Sequence, residues 1–88
     1  MKHRYLEVTF RKGRPLAAYL YLPRSAGAKA ARTVNAGRGV RIDFDARDVP
    51  IGVEITAPAL ITVSELNAVL APLGIEGIEP EEWAPLAA

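Results

Sequence analysis

From Val40 to Thr56 the chain reads VRIDFDARDVPIGVEIT. Val40, Ile42 and Phe44 alternate with Arg41, Asp43 and Asp45, and after a polar break Val49, Ile51, Val53 and Ile55 alternate with Pro50, Gly52, Glu54 and Thr56. Such alternation sends every second side chain to one face of a strand. Two runs around Asp45-Ala46-Arg47-Asp48 therefore predict a β-hairpin with one apolar and one polar face. The apolar face needs a cover. In a chain of 88 residues that cover is a helix on a sheet, or a second subunit, because a small domain has little other material to bury.

The flanking segments fit this frame. Tyr5 to Arg11 (YLEVTFR) alternates Leu6, Val8 and Phe10 with Glu7, Thr9 and Arg11. Lys12-Gly13-Arg14-Pro15 reads as a turn. Leu16 to Leu22 places Leu16, Ala18, Leu20 and Leu22 opposite Ala17, Tyr19 and Tyr21. With two fairly apolar faces, this strand belongs in the middle of the sheet, or packs its tyrosine face under the helix. Ala28 to Arg32 has the composition of a helix start, but Thr33-Val34-Asn35 favours a strand, and Ala28 to Asn35 is read as one, followed by a turn at Ala36-Gly37-Arg38-Gly39. Gly52, inside a strand, marks a bulge or a close approach, with room for the helix or a neighbouring side chain.

Thr62 and Glu65 form a capping box, and Ile61 and Leu66 fit a hydrophobic staple. Val63, Leu66, Val69, Leu70 and Leu73 recur at helical spacing, which predicts a helix over about 62–71, ended by Pro72 and Gly74. The expected class is α+β: an antiparallel β-meander of four to five strands with one C-terminal helix packed on one face. Residues 1–74 form the single domain, and 75–88 an acidic, proline-containing C-terminal tail, with Trp83 and Leu86 as its expected anchor.

Composition narrows the chemistry. There is no cysteine, so disulfides, thiolate catalysis and cysteine-held metals are excluded within the chain. His3 is the only histidine, at a position where a solvated role is expected. No apolar run reaches the roughly 20 residues of a spanning helix, and no apolar signal core follows the charged start. The expectation is a cytoplasmic protein with no membrane contact.

Charge is lopsided. Residues 1–47 hold eleven basic and three acidic side chains, a net +8, whereas 48–88 hold seven acids and no Lys or Arg, a net −7. Either the basic half awaits an acidic partner, or the tail covers it.

Asp43, Asp45 and Asp48 cluster at the central hairpin. They read as a metal-dependent site or, by the preferred reading, as a solvated face with turn-forming aspartates. Gly37-Arg38-Gly39 lacks the Lys-Ser/Thr pair and the following helix of a phosphate loop, and reads as a turn. No Ser-His-Asp set is available, so the chain is read as a non-enzyme without cofactor.

The segments Leu16-Ala17-Ala18-Tyr19-Leu20, Gly39-Val40-Arg41-Ile42-Asp43-Phe44-Asp45 and Val49-Pro50-Ile51-Gly52-Val53-Glu54-Ile55 resemble the bacterial domain-of-unknown-function family 2283. The resemblance covers about residues 5–71. It departs where the family tends to carry Asp before Leu-Tyr, here Leu16-Ala17-Ala18-Tyr19, and in the Ala- and Arg-rich connection at 24–32. It implies no established activity. It does imply an antitoxin role, since members look like partners of small toxins.

The leading expectation is a non-catalytic interaction module and homodimer, antitoxin-like toward a small basic protein. Glu76, Glu79, Glu81 and Glu82 would oppose the partner's charges, and Trp83 would fill a pocket. Ranked below it is nucleic-acid binding by the basic half, through Arg11, Lys12, Arg14 and Arg32 with Tyr19 and Tyr21. The Asp43, Asp45 and Asp48 metal site is the third reading.

Overall fold

The computed structural model describes residues 3–24, 27–37 and 39–86. Five strands form one antiparallel sheet: β1 (Tyr5–Arg11), β2 (Arg14–Tyr21), β3 (Arg32–Gly37), β4 (Val40–Phe44) and β5 (Pro50–Ile55), in the spatial order β1-β2-β5-β4-β3. The fold is α+β. β3, β4 and β5 form a meander, while β1 and β2 form a separate hairpin that joins it through β2 and β5. Leu22 N donates to Ile51 O at the end of β5 and Ala31 N to Phe44 O at the end of β4, so β3 begins at the far edge of the sheet. β5 consequently lies in the middle, where Ile51, Val53 and Ile55 are buried.

One sheet face is dry. Ala18, Leu20 and Leu22 from β2, Val40, Ile42 and Phe44 from β4, and Val53 and Ile55 from β5 pack in one cluster with Leu66 and Leu70. The last two belong to α1 (Val63–Leu70), whose first turn carries the expected capping box. Thr62 Oγ1 accepts from Glu65 N at 3.1 Å, and Glu65 Oε1 accepts from Thr62 N at 3.0 Å. So short a helix is marginal alone. Full burial of Leu66 and Leu70 holds it, at about 1.5–3 kcal/mol per side chain. A 3-10 turn over Ala71–Leu73 follows, and Gly74 ends it in the left-handed region at φ 72°.

Several expectations need correction. The third strand begins at Arg32, not Ala28. Of residues 28–31 only Ala31 reaches the sheet, donating its N–H to Phe44 O at 2.7 Å. That strand also runs on to Gly37, and Arg38 of the expected turn lies outside the described residues. Val49, expected on the apolar face, is 47% exposed. The turn still occupies this position, with Asp48 at φ 63°. A register shift sets Pro50, not Ile51, opposite Phe44. Leu16 is 51% exposed because β2 pairs with β5 only from Ala18 onward. β2 lies one strand in from the edge, and its leucine face, not its tyrosine face, joins the core.

Residues 75–86 are packed by more than the expected anchor of Trp83 and Leu86. As far as Leu86 this segment is packed, not a tail. Ile78 and Leu86 are 5% and 7% exposed within the core cluster, with Ile75 and Trp83 against it. A second short helix, α2 (Pro80–Trp83), lies between them. The apolar residues prevail over the acidic ones because Ile78 is fixed at both ends of its peptide. Asn67 Oδ1 accepts from Ile78 N at 2.6 Å, and Asn67 Nδ2 donates to Ile78 O at 3.2 Å. Ala87 and Ala88 lie outside the described residues. Among the described residues, no helix is long and apolar enough to cross a membrane.

Candidate functional site: the open sheet face and the basic ribbon

The helix α1 packs on the first sheet face; the second carries the tyrosines. Register sets Tyr5 opposite Tyr21, and Glu7 opposite Tyr19, on β1 and β2. It continues through Tyr19 opposite Glu54 and Tyr21 opposite Gly52 on β5. Tyr5 and Tyr21 stack with ring centroids 4.6 Å apart at 15°, and Tyr19 sits 4.6 Å from Tyr21 at 56°. The Arg24 guanidinium lies 5.5 Å from the Tyr21 ring centre and donates to Ile51 O at 2.5 Å.

Tyr19 reaches across β5 to β4, where its hydroxyl donates to Asp43 Oδ2 at 2.5 Å. Thr33 Oγ1 on β3 donates to the other oxygen, Oδ1, at 2.6 Å. The reach depends on Gly52, because a Cβ there would lie 1.8 Å from the Tyr19 hydroxyl oxygen. The close approach expected at Gly52 is thus made by the neighbouring strand's tyrosine. Burial raises the Tyr19 pKa, and the Asp43 carboxylate raises it further. The Tyr21 pKa is raised chiefly by the negative charge of Glu7, whose Oε1 accepts from the Tyr21 hydroxyl at 3.4 Å. Both shifts hold the phenols protonated, the opposite of what proton transfer near neutral pH requires.

The three hairpin aspartates do not converge. Asp43 serves Tyr19 and Thr33. Asp45 builds the turn: its Oδ1 accepts from Arg47 N at 2.8 Å and Val49 N at 3.0 Å. These backbone donors, Val49's foremost, lower its pKa. Asp48 pairs with Arg32 at 2.9 Å. Among the described residues, no three of His, Asp and Glu gather to hold a metal.

The basic residues singled out from the sequence separate into two groups. Arg11, Lys12 and Arg14 stand together at the β1–β2 turn, where Lys12 at φ 52° and Gly13 at φ 77° make a tight two-residue connection. Arg32 is at the other end of the sheet, over the Phe44 ring at 4.3 Å and paired with Asp48. Tyr19 and Tyr21 lie on the open face, apart from the turn.

The acidic residues also part company. Glu79 and Glu82 close a capping box on α2. Arg4 donates to Glu76 O, to Gly77 O at 2.7 Å and to Glu82 Oε1 at 2.9 Å. Partial burial pushes the Glu82 pKa up, but the Glu79 N–H and the Arg4 guanidinium outweigh it, and the net shift is downward. Trp83 packs against the core. Only Glu76, Glu79 and Glu81 present exposed side chains.

Sequence reasoning missed the roles of Arg4 and Arg24. Both grip main-chain carbonyls, and a carbonyl leaves no residue-type signature. Comparison with protein-family models, with curated proteins and with solved structures gave no match.

Proposed function

We propose that this chain is a small non-catalytic interaction module that pairs with a second copy of itself through the tyrosine face of the sheet. The observation that carries the reading is the locked trio Tyr5, Tyr21 and Tyr19 on the second sheet face. Tyrosine supplies large contact area at low entropic cost, and interface hot spots are enriched in it. Here the Tyr19 hydroxyl is already held by Asp43 and that of Tyr21 by Glu7, so less freedom is lost on docking.

A second copy suits the face because it carries both signs of charge. Arg41 stands opposite Glu54 on one side and Asn35 on the other, with Glu7 among the tyrosines. A two-fold contact sets one patch against its own copy, which brings cations to carboxylates without a second kind of protein. An antitoxin-like grip on a basic partner has less to draw on. Glu79, Glu82 and Trp83, three of its five expected contacts, are engaged within the chain.

Sedimentation velocity over a concentration series tests the proposal. The chain is expected to dimerise in the micromolar range, and Tyr5→Glu, at a half-exposed position, to weaken association at least about tenfold by burying a charge in the contact. A chain that stays monomeric throughout, or a variant that dimerises as well as the parent, overturns it.

A further inference from the structure

The geometry points to a second contact site, independent of self-association: the ribbon formed by residues 10–16 is an arm that enters the major groove of duplex DNA. β2 pairs with β5 only over Ala18–Tyr21, whereas β1 and β2 stay paired out to Arg11 opposite Arg14. Beyond Ala18 the hairpin continues without a third strand beside it among the described residues. The 3-10 turn Pro58–Leu60 packs against β2 and braces the root of the ribbon.

The charge on this ribbon has no carboxylate partner among the described residues. Arg11 faces Arg14 across the ladder with Lys12 in the turn, and like charges directly opposite destabilise a strand pair. None of the three makes an ion pair among the described residues, where the pairs are Arg4–Glu82 and Arg32–Asp48. No Asp or Glu occurs between Glu7 and Asp43. Among the described residues the C-terminal segment makes its one ion pair with Arg4, and none with the tip. Cations concentrated in this way are relieved by a polyanion.

Shape selects among polyanions. Paired strands about 5 Å apart fit the major groove of B-form DNA, about 12 Å wide, which admits a two-stranded ribbon. The deep, narrow major groove of duplex RNA does not. Single strands call for aromatic stacking inside a cationic groove. Here the tyrosines lie instead on the sheet body with Glu7, Asp43 and Glu54. Phe10 and Leu16, both 51% exposed, flank the cations where they can meet thymine methyls and sugar edges.

Fluorescence anisotropy of a labelled random-sequence DNA duplex, titrated with the full chain across a salt series, tests this. Binding should weaken steeply with salt. The triple variant R11Q/K12Q/R14Q should bind at least about thirtyfold more weakly, and its slope of log K against log salt should be shallower by about 2–3. Arg14→Gln alone should cost about one unit of slope. F10A/L16A should weaken binding several-fold with the slope unchanged, and Arg32→Gln should leave binding within about twofold. Melting curves confirm that each variant is folded. Equal affinity of parent and triple variant, no binding at low salt, or tighter binding to single-stranded DNA or to anionic lipid vesicles than to the duplex overturns the proposal.

Discussion

The basic tip of the β1–β2 ribbon and the acidic segment 75–86 each carry charge of a single sign, and they meet opposite fates. In the acidic segment, structure absorbs charge. Glu82 answers both Arg4 and the Glu79 N–H, and the Ile78 and Leu86 side chains draw the rest of the segment onto the core. In the ribbon Arg11, Lys12 and Arg14 make no ion pair among the described residues. The difference teaches that the lopsided charge of the sequence is not one surface facing another. Arg4 takes up the acidic segment at one place, and the remaining cations stay outside that contact. A charged stretch becomes a candidate for an external ligand when its internal partners are missing, whatever its formal charge.

The sharpest way to break the comparison is to undock the acidic segment. Ile78 is its most buried side chain before Leu86, and replacing a buried Ile by Ala usually costs about 2–5 kcal/mol. Ile78→Ala is expected to lower stability within that range in chemical denaturation, and to make residues 75–86 the first site of proteolysis. If stability is unchanged and the segment stays resistant, its packing is not what neutralises its charge.

How much of this contrast was legible beforehand depended on the kind of signal. The hairpin at 40–55 and the box at Thr62 and Glu65 are local, and their periods and spacings show in the sequence. The docking of 75–86 is not local. α2 has four residues, too few to display a helical stripe, and Ile78 and Leu86 are single apolar residues among acids and prolines. Arg4 binds main-chain oxygens more than seventy residues away. The projection of the ribbon was hidden for another reason. The alternation of β2 runs unbroken from Leu16 to Leu22, but which part finds a third strand follows from β5 arriving beside it. On the open face, Gly52 announced a close approach, while the identity of Tyr19 as its occupant required the strand order.

A smaller effect should come from the Arg4 contact. Hydrogen bonds to charged groups are worth about 1.5–3 kcal/mol when partly shielded, and Arg4 and Glu82 are only 16% and 32% exposed. Arg4→Met should therefore cost about 1–3 kcal/mol at neutral pH. Acid should act through the same pair. The folded pKa of Glu82 lies below its ordinary value, so its stabilising contribution is complete above the unfolded value and is lost as pH falls through the folded one. Thermal melts of the parent from about pH 5 to pH 3 should show this loss, and Arg4→Met should show less of it. An equal acid sensitivity in both proteins would place the titration elsewhere.

The smallest stability effect, and the one that bears most on the contrast, belongs to the ribbon itself. Arg11 and Arg14 repel across the ladder, and among the described residues neither side chain makes a hydrogen bond or ion pair with another part of the chain. Neutralising them should therefore not destabilise the fold. R11Q/R14Q is expected to leave stability unchanged or to raise it by a few tenths of a kcal/mol, the usual scale of a cross-strand charge pair. The gain should shrink as salt screens the repulsion in the parent. A loss of more than about 1 kcal/mol, beyond what surface substitutions usually cause, would mean that these guanidinium groups support the sheet through their aliphatic stems. The tip would then be structural, as the acidic segment is, and its lack of an internal partner would no longer argue for an external one.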